Sequence, residues 1–266
     1  MASDALKPGE PVLLIDSRDR ELLLMIAEGD KSHTHAGMVD HDRLVGAVPG
    51  SVIETEAGKR LLVVRPTAAD IAVHMARGAQ IVYPKDQAAL LGLLSLEPGL
   101  TVLESGVGSA ALTMALLRAG VDVVGVERRE DFLNLARKNI RQFLPPEVAS
   151  RAQLVLADAN EFTSRRRFDR IVLDLVDPWA VLGNLSKLIA PGGLIAVYVT
   201  NVNQVVSTVE ELRRLGWVRD RVIEVLERTW VVRGDVVRPE QRMVGHTAFL
   251  ISACAGTKLF SVDRES

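Results

Sequence analysis

The chain has 266 residues, 48% hydrophobic and 25% charged, a balance that suits one large globular domain with a small appendage and disfavours disorder or membrane insertion. Its formal net charge of −2 excludes a protein that grips nucleic acid by bulk charge, so any such surface has to be local. No apolar run approaches the ~20 residues that span a bilayer. The opening MASDALKPGEPVLLIDSRDR lacks the basic start and apolar stretch of a secretory signal, so the expected location is the cytoplasm, with no membrane partner. Cys254 is the single cysteine, which rules out an internal disulfide.

In chain order, residues 10–65 hold short β-rich runs (PVLLID, RELLLMIA, SVIETEAG, KRLLVVRP) broken by Gly, Asp and Pro, and residues 1–65 are read as a small all-β domain. His33, His35 and His41 fall in it without a carboxylate or cysteine at ligand spacing; they read as surface-turn residues, and no metal is expected. Pro66 opens a helix through Met75, and Tyr83-Pro84-Lys85-Asp86 reads as a turn before a helix at about 87–95. From residue 100 strands and helices alternate. Strands are expected at about 101–105, 122–126, 153–157, 170–174 and 194–199, with helices at about 109–119, 130–143, 180–189 and 202–215. The fold class is α/β, a doubly wound, mostly parallel sheet. Two further β-rich stretches, WVRDRVIEVLERTWVV and GHTAFLISAC, should pair antiparallel at the sheet edge, with Cys254 as a small core residue and Trp217 and Trp230 as core or interface residues. This second domain spans 66–256, and 257–266 is a tail. The arginine clusters 128–129, 165–167, 213–214 and 233/238/242 read individually as solvated faces.

In such a sheet the ligand lies beyond the carboxyl ends of the strands. After the first comes Glu104-Ser105-Gly106-Val107-Gly108-Ser109, where two glycines permit a tight turn and close backbone approach. After the second comes Glu127, 19 residues beyond Gly108, placed to accept from ribose hydroxyls. After the third comes Asp158, placed to accept from an exocyclic amine, and after the fourth Asp174 to Trp179. Gly106 to Ala111 also satisfies the dinucleotide pattern, so an NAD-dependent oxidoreductase competes. Against it, Glu104 would repel a pyrophosphate and suit a cationic ligand such as a methionyl amino group.

With these positions the chain resembles S-adenosylmethionine-dependent methyltransferases of the Rossmann-like class, with their seven-stranded sheet. More closely, it resembles the tRNA (adenine-N1)-methyltransferase family that modifies position 58 in the T-loop. The shared segments are YPKD (83–86), VLESGVGSAALT (102–113), VERREDF (126–132), LDLVDPW (173–179), PGGLIAVYVTNVNQV (191–205) and RPEQRMVGHTAFL (238–250). The resemblance implies S-adenosyl-L-methionine as cofactor, held by Glu104, Ser105, Gly106, Val107, Gly108, Ser109, Glu127, Arg128, Asp158, Ala159 and Asp174. It implies Asp174 as the catalytic acid facing the base, and Tyr83, Lys85, Trp179, Tyr198, Gln204, His246 and Thr247 on the substrate side. The implied partners are tRNA and further copies of the chain in a homotetramer, with no DNA. Ala110 stands where the family usually has a third glycine; it should be tolerated if already helical. Val107 stands where the family often has Thr or Ala, and Val176 replaces a frequent proline. An N6-adenine methyltransferase (from Asp177-Pro178-Trp179) and a non-catalytic tRNA-binding module are the other readings.

Overall fold

The computed structural model describes residues 5–256; the tail assigned to 257–266 lies outside the described residues. The chain divides into two compact units, Met1–Ala76 and Arg77–Ser266.

The first unit contains β1 (Pro11–Asp16), β2 (Glu21–Met25), β3 (Lys31–Thr34), β4 (Gly37–Asp40), β5 (Val52–Glu54), β6 (Arg60–Val64) and α1 (Ala68–His74). An antiparallel sheet in the order β2-β1-β6-β5 accompanies a separate β3-β4 hairpin. Alternation along β1 and β6 buries Val12, Leu14, Leu61 and Val63 with Ile26, Val39 and Leu44, as a strand period of two requires. Asp16 closes the β1–β2 turn by accepting the N–H groups of Arg18 and Arg20 and the Arg20 guanidinium. Those bonds hold its carboxyl well below the usual range, against the opposing effect of burial. His41 is not a surface-turn residue. It is buried, its Nδ1 accepts from the Ala27 N–H at 3.1 Å and its Nε2 pairs with the Ser32 hydroxyl at 2.8 Å. Helix α1 starts with a Thr67/Asp70 capping box, buries Ile71 and Ala72, and pairs His74 with Glu21 on β2. It therefore goes with the β unit, and the division falls after Ala76 rather than at Pro66.

The second unit contains α2 (Pro84–Leu93), β7 (Thr101–Ser105), α3 (Ala111–Arg118), β8 (Asp122–Glu127), α4 (Glu130–Phe143), α5 (Pro146–Ala149), β9 (Ala152–Leu156), β10 (Phe168–Asp174) and α6 (Pro178–Leu185). It continues with β11 (Ile189–Val199), α7 (Val202–Arg214), β12 (Trp217–Glu224), β13 (Trp230–Arg233), β14 (Val236–Pro239) and β15 (Phe249–Ala255). Seven strands form one sheet in the order β12-β15-β11-β10-β7-β8-β9. Strands β11, β10, β7, β8 and β9 run parallel, and β15 lies antiparallel between β11 and β12. The expected Rossmann-like sheet is present, and its core includes Leu103, Phe168, Ile171, Leu173, Leu182, Ile195, Leu212, Trp217 and Ile251. No helix among the described residues is long and apolar enough to cross a membrane.

Three local expectations are corrected. Tyr83-Pro84-Lys85-Asp86 is the start of α2, with Tyr83 as N-cap and Pro84 at the first helical position, where its fixed φ and missing N–H cost nothing. The stretch 217–232 is not one element: β12 stops at Glu224, and Trp230 belongs to the β13–β14 hairpin, where it is 57% exposed. Cys254 is half-buried, out of phase with the buried Ile251 and Ala253 on β15.

Candidate active site

The mouth of the sheet is set by the turn after β7. Gly106 has φ of +88° and packs so closely on β10 that a Cβ would overlap the Asp174 carbonyl oxygen; only glycine fits there. Its N–H donates to the Val126 carbonyl at 3.1 Å, and Asn139 on α4 donates to the Ser109 carbonyl, so the turn is held from both neighbours. At Gly108 (φ +54°) a Cβ would meet no atom within 4 Å, which leaves the backbone open to a ligand. Ala110 is not helical. It is the left-handed N-cap of α3, with φ +69°, a conformation that favours the family's usual glycine.

Three carboxyl groups converge on this turn. Glu127, at the end of β8, accepts the Gly108 N–H on one oxygen and the Arg129 N–H on the other, each at 3.0 Å. Those bonds orient it toward the turn and leave lone pairs on both oxygens. Asp174 ends β10, in register with Tyr198 on β11; burial, and then the Glu127 charge, push its carboxyl up to about 7. Glu104 is fully buried on β7, and neither of its oxygens has a well-formed hydrogen bond. Burial raises it to about 8; the nearby Thr113 hydroxyl on α3 opposes this, and the charges of Asp174 and Glu127 add to it. Ser105, Val107, Ser109 and Ala159 are buried around the same strand ends, while Arg128 is exposed. Asp158 is exposed, with one oxygen used by Asn160.

The substrate-side residues divide into two groups. Tyr198 is buried with its hydroxyl lacking a well-formed hydrogen bond. Burial raises its pKa, helped by Asp86, Asp174 and Tyr83, so it borders the acid site. Trp179 is half-buried in the first turn of α6. Gln204 accepts the N–H groups of Thr200 and Asn201 as part of the α7 capping box and donates to the Val176 carbonyl at 2.7 Å, so it holds the loop that follows Asp174.

Lys85 and Thr247 are engaged internally. The Lys85 ammonium donates to Asp86, the Val225 carbonyl and the Thr247 hydroxyl, each at 2.7 Å, which uses all three of its donors. Thr247 passes a bond to the other Asp86 oxygen at 2.8 Å. His246 bonds Glu224 through Nδ1 at 2.5 Å and the Thr200 carbonyl through Nε2 at 2.9 Å. Both partners are acceptors, an arrangement that favours the protonated ring; Glu224, then Thr200, raise its pKa. Asp86, Glu224 and Thr113 are the residues that sequence reading did not single out, although Asp86 and Thr113 lie inside quoted motifs.

The family model described as the tRNA methyltransferase complex GCD14 subunit matches residues 60–237, and a TrmI-like N-terminal model matches residues 5–53. The chain belongs to the GCD14/TrmI family. Among family relatives, the tRNA (adenine(58)-N(1))-methyltransferase TrmI of Thermus thermophilus is 38% identical, over 92% of this chain and 96% of its own. The Methanocaldococcus jannaschii relative, named for adenines 57 and 58, is 30% identical over 91% of this chain and 93% of its own. Among solved structures, a SAM-dependent O-methyltransferase from Thermotoga maritima has a TM-score of 0.89 at 32% identity, covering 100% of this chain and 98% of that one. The tRNA (m1A58) methyltransferase TrmI of Aquifex aeolicus has a TM-score of 0.82 at 27% identity, covering 94% and 98%. The fold is thus that of the S-adenosylmethionine-dependent methyltransferases, and the three acids lie at its strand ends.

Proposed function

We propose that the protein is a tRNA methyltransferase that transfers the methyl group of S-adenosyl-L-methionine to N1 of adenine 58 in the T-loop. The observation that carries this reading is the convergence of Glu104, Glu127 and Asp174 on a glycine turn, with none of their carboxyls in an ion pair among the described residues. The site fits a cationic nucleoside and not an anionic pyrophosphate: an unpartnered buried carboxyl demands positive charge, which disfavours the NAD reading.

Glu104 and the turn through Ser109 would surround the methionyl part, Glu127 the ribose, with Arg128 beside it, and Asp158 with Ala159 the adenine. The cofactor supplies a methyl group activated by its attachment to a sulfonium. The chain's own task is to align the target base and exclude water. N1 lies on the pairing edge of adenine, so the nucleotide has to leave its stack, and Trp179, Tyr198 and Tyr83 are the aromatic residues that would receive it. Methylated adenine is cationic and its exocyclic amine becomes a stronger donor. A carboxylate at Asp174 that accepts from that amine gains most as the charge develops.

The apolar, exposed Trp230, Val232, Val236 and Val237 of the β13–β14 hairpin support self-assembly, and the resemblance points to a homotetramer in the cytoplasm; light scattering gives its mass directly. The catalytic test is to incubate the protein with labelled cofactor and unmodified tRNA, digest, and identify the modified nucleoside and its position. 1-Methyladenosine at 58 is expected. N6-methyladenosine, or no methylation by cofactor-bound protein, would overturn the reading, and additional label at 57 would extend it.

A further inference from the structure

The buried acids among the described residues are Asp16, Asp86, Glu104 and Glu127. Three are well supplied with donors: Asp16 by Arg20 and two backbone N–H groups, Asp86 by Lys85 and Thr247, and Glu127 by two backbone N–H groups. Glu104 differs. It is 1% exposed, and both of its oxygens are without a well-formed hydrogen bond. The groups that bear on it are the Thr113 hydroxyl from α3, Glu127 from β8 and Asp174 from β10, with Tyr198 on β11 next to Asp174; the charged ones are both acids. An isolated carboxylate in such a place costs several kcal/mol, so the ligand-free pocket keeps it neutral, consistent with its rise to about 8.

Once ionised, Glu104 lacks a counter-charge and has no well-formed hydrogen bond to either oxygen. A sulfonium could answer the charge but has no N–H to donate, whereas a primary ammonium has three. We propose that Glu104 recognises the ammonium of the cofactor's methionyl group by proton exchange: the carboxyl is protonated in the ligand-free pocket and releases its proton to solvent as the ammonium enters beside it. The charge balances: one proton leaves Glu104, the ligand keeps its own, and a buried ion pair replaces a neutral acid. The inference rests on the methyl-donor reading above and adds a linkage to pH that the reading does not require.

The test is calorimetric and needs no turnover. Binding is measured in buffers of different ionisation heat, with S-adenosylhomocysteine, which keeps the ammonium without the sulfonium, and with 5′-methylthioadenosine, which lacks both. At pH 7, S-adenosylhomocysteine should release about 0.9 proton per site, as follows for an acid at about 8, and methylthioadenosine none. Affinity for the former should rise close to tenfold from pH 6 to pH 7 and level off above about pH 8. In Glu104→Gln the release should vanish and the pH profile flatten, whereas Asp174→Asn should retain the release. Binding of S-adenosylhomocysteine without proton release would overturn the proposal and leave the methyl-donor reading standing. Equal release with methylthioadenosine, or undiminished release in Glu104→Gln, would also overturn it. Failure of both nucleosides to bind would overturn the methyl-donor reading along with it.

Discussion

Asp174 and Ala110 are the residues whose local physics reaches furthest into function. The Asp174 carboxyl, raised to about 7 mainly by burial and then by Glu127, is neutral below that pH and then lacks the negative charge that stabilises a developing cationic adenine. Turnover should therefore climb with pH through about 7. Asp174→Asn should remove that limb, and Asp174→Ala should lower kcat by roughly 10²–10³, the range for losing one charge-stabilising group, with little change in cofactor affinity. A kcat that keeps its magnitude and its pH profile in both variants would exclude the role. At Ala110 two effects nearly cancel. The left-handed conformation (φ +69°) costs an L-residue about 1–2 kcal/mol, while the fully buried methyl contributes about 0.8 kcal/mol. Glycine also brings a more flexible unfolded chain. Ala110→Gly should consequently melt within a few degrees of the parent, which explains how alanine stands at a position the family usually gives to glycine. Ala110→Val adds β-branching to the same strained backbone and should lose more than about 2 kcal/mol; equal melting temperatures for the two variants would contradict this account.

Among the elements, the start of α2 and the start of β15 matter most, because Lys85, Asp86 and Thr247 join them into one buried network that also takes in the Val225 carbonyl after β12. The network holds both ends of the segment that carries the β13–β14 hairpin. Asp86→Ala leaves the Lys85 ammonium, 13% exposed, without its counter-charge, and should cost about 3–5 kcal/mol as read from the urea midpoint. Replacing the pair together, as Lys85→Met with Asp86→Leu, should recover a good part of that loss, since two apolar groups remove both desolvation penalties. A double variant as unstable as the single one would show that the Thr247 bond carries the stability instead. Such a network could not be read from the chain, because its partners lie up to 162 positions apart and meet only through the sheet order. The parallel strands were legible as short apolar runs, and β7, β8 and β10 each end in a polar residue, Ser105, Glu127 and Asp174, which made the acids at the strand ends legible too. The hairpin was legible in principle: Gly234-Asp235 joins Arg233 to Val236 in a two-residue loop, a recognised turn signal, but the continuous β-rich run 217–232 masks it. The conformation of Ala110 and the burial of His41 depend on neighbours that no local pattern records.

At the scale of the molecule, the candidate site belongs to a single unit. Every acid, turn and aromatic assigned to it lies beyond Arg77, the start of the second compact unit, and the seven-stranded sheet that positions them draws no strand from the first unit. The first unit in turn has its own core, built on Leu6, Val12, Leu14, Ile26, Leu44 and Val63. Each unit thus has a hydrophobic core of its own, which is the condition for independent folding. A fragment beginning at Arg77 should give one cooperative thermal transition and bind S-adenosylhomocysteine with an affinity within about threefold of the full chain, a difference of under about 1 kcal/mol. Its capacity to methylate tRNA is a separate quantity, because a substrate that large can draw on surfaces the cofactor never meets. Retained cofactor affinity with impaired tRNA methylation would assign the β unit to substrate capture. A soluble, folded fragment that has lost the cofactor would instead show that the strand ends need the first unit for their geometry, and the one-unit account of the site would fail.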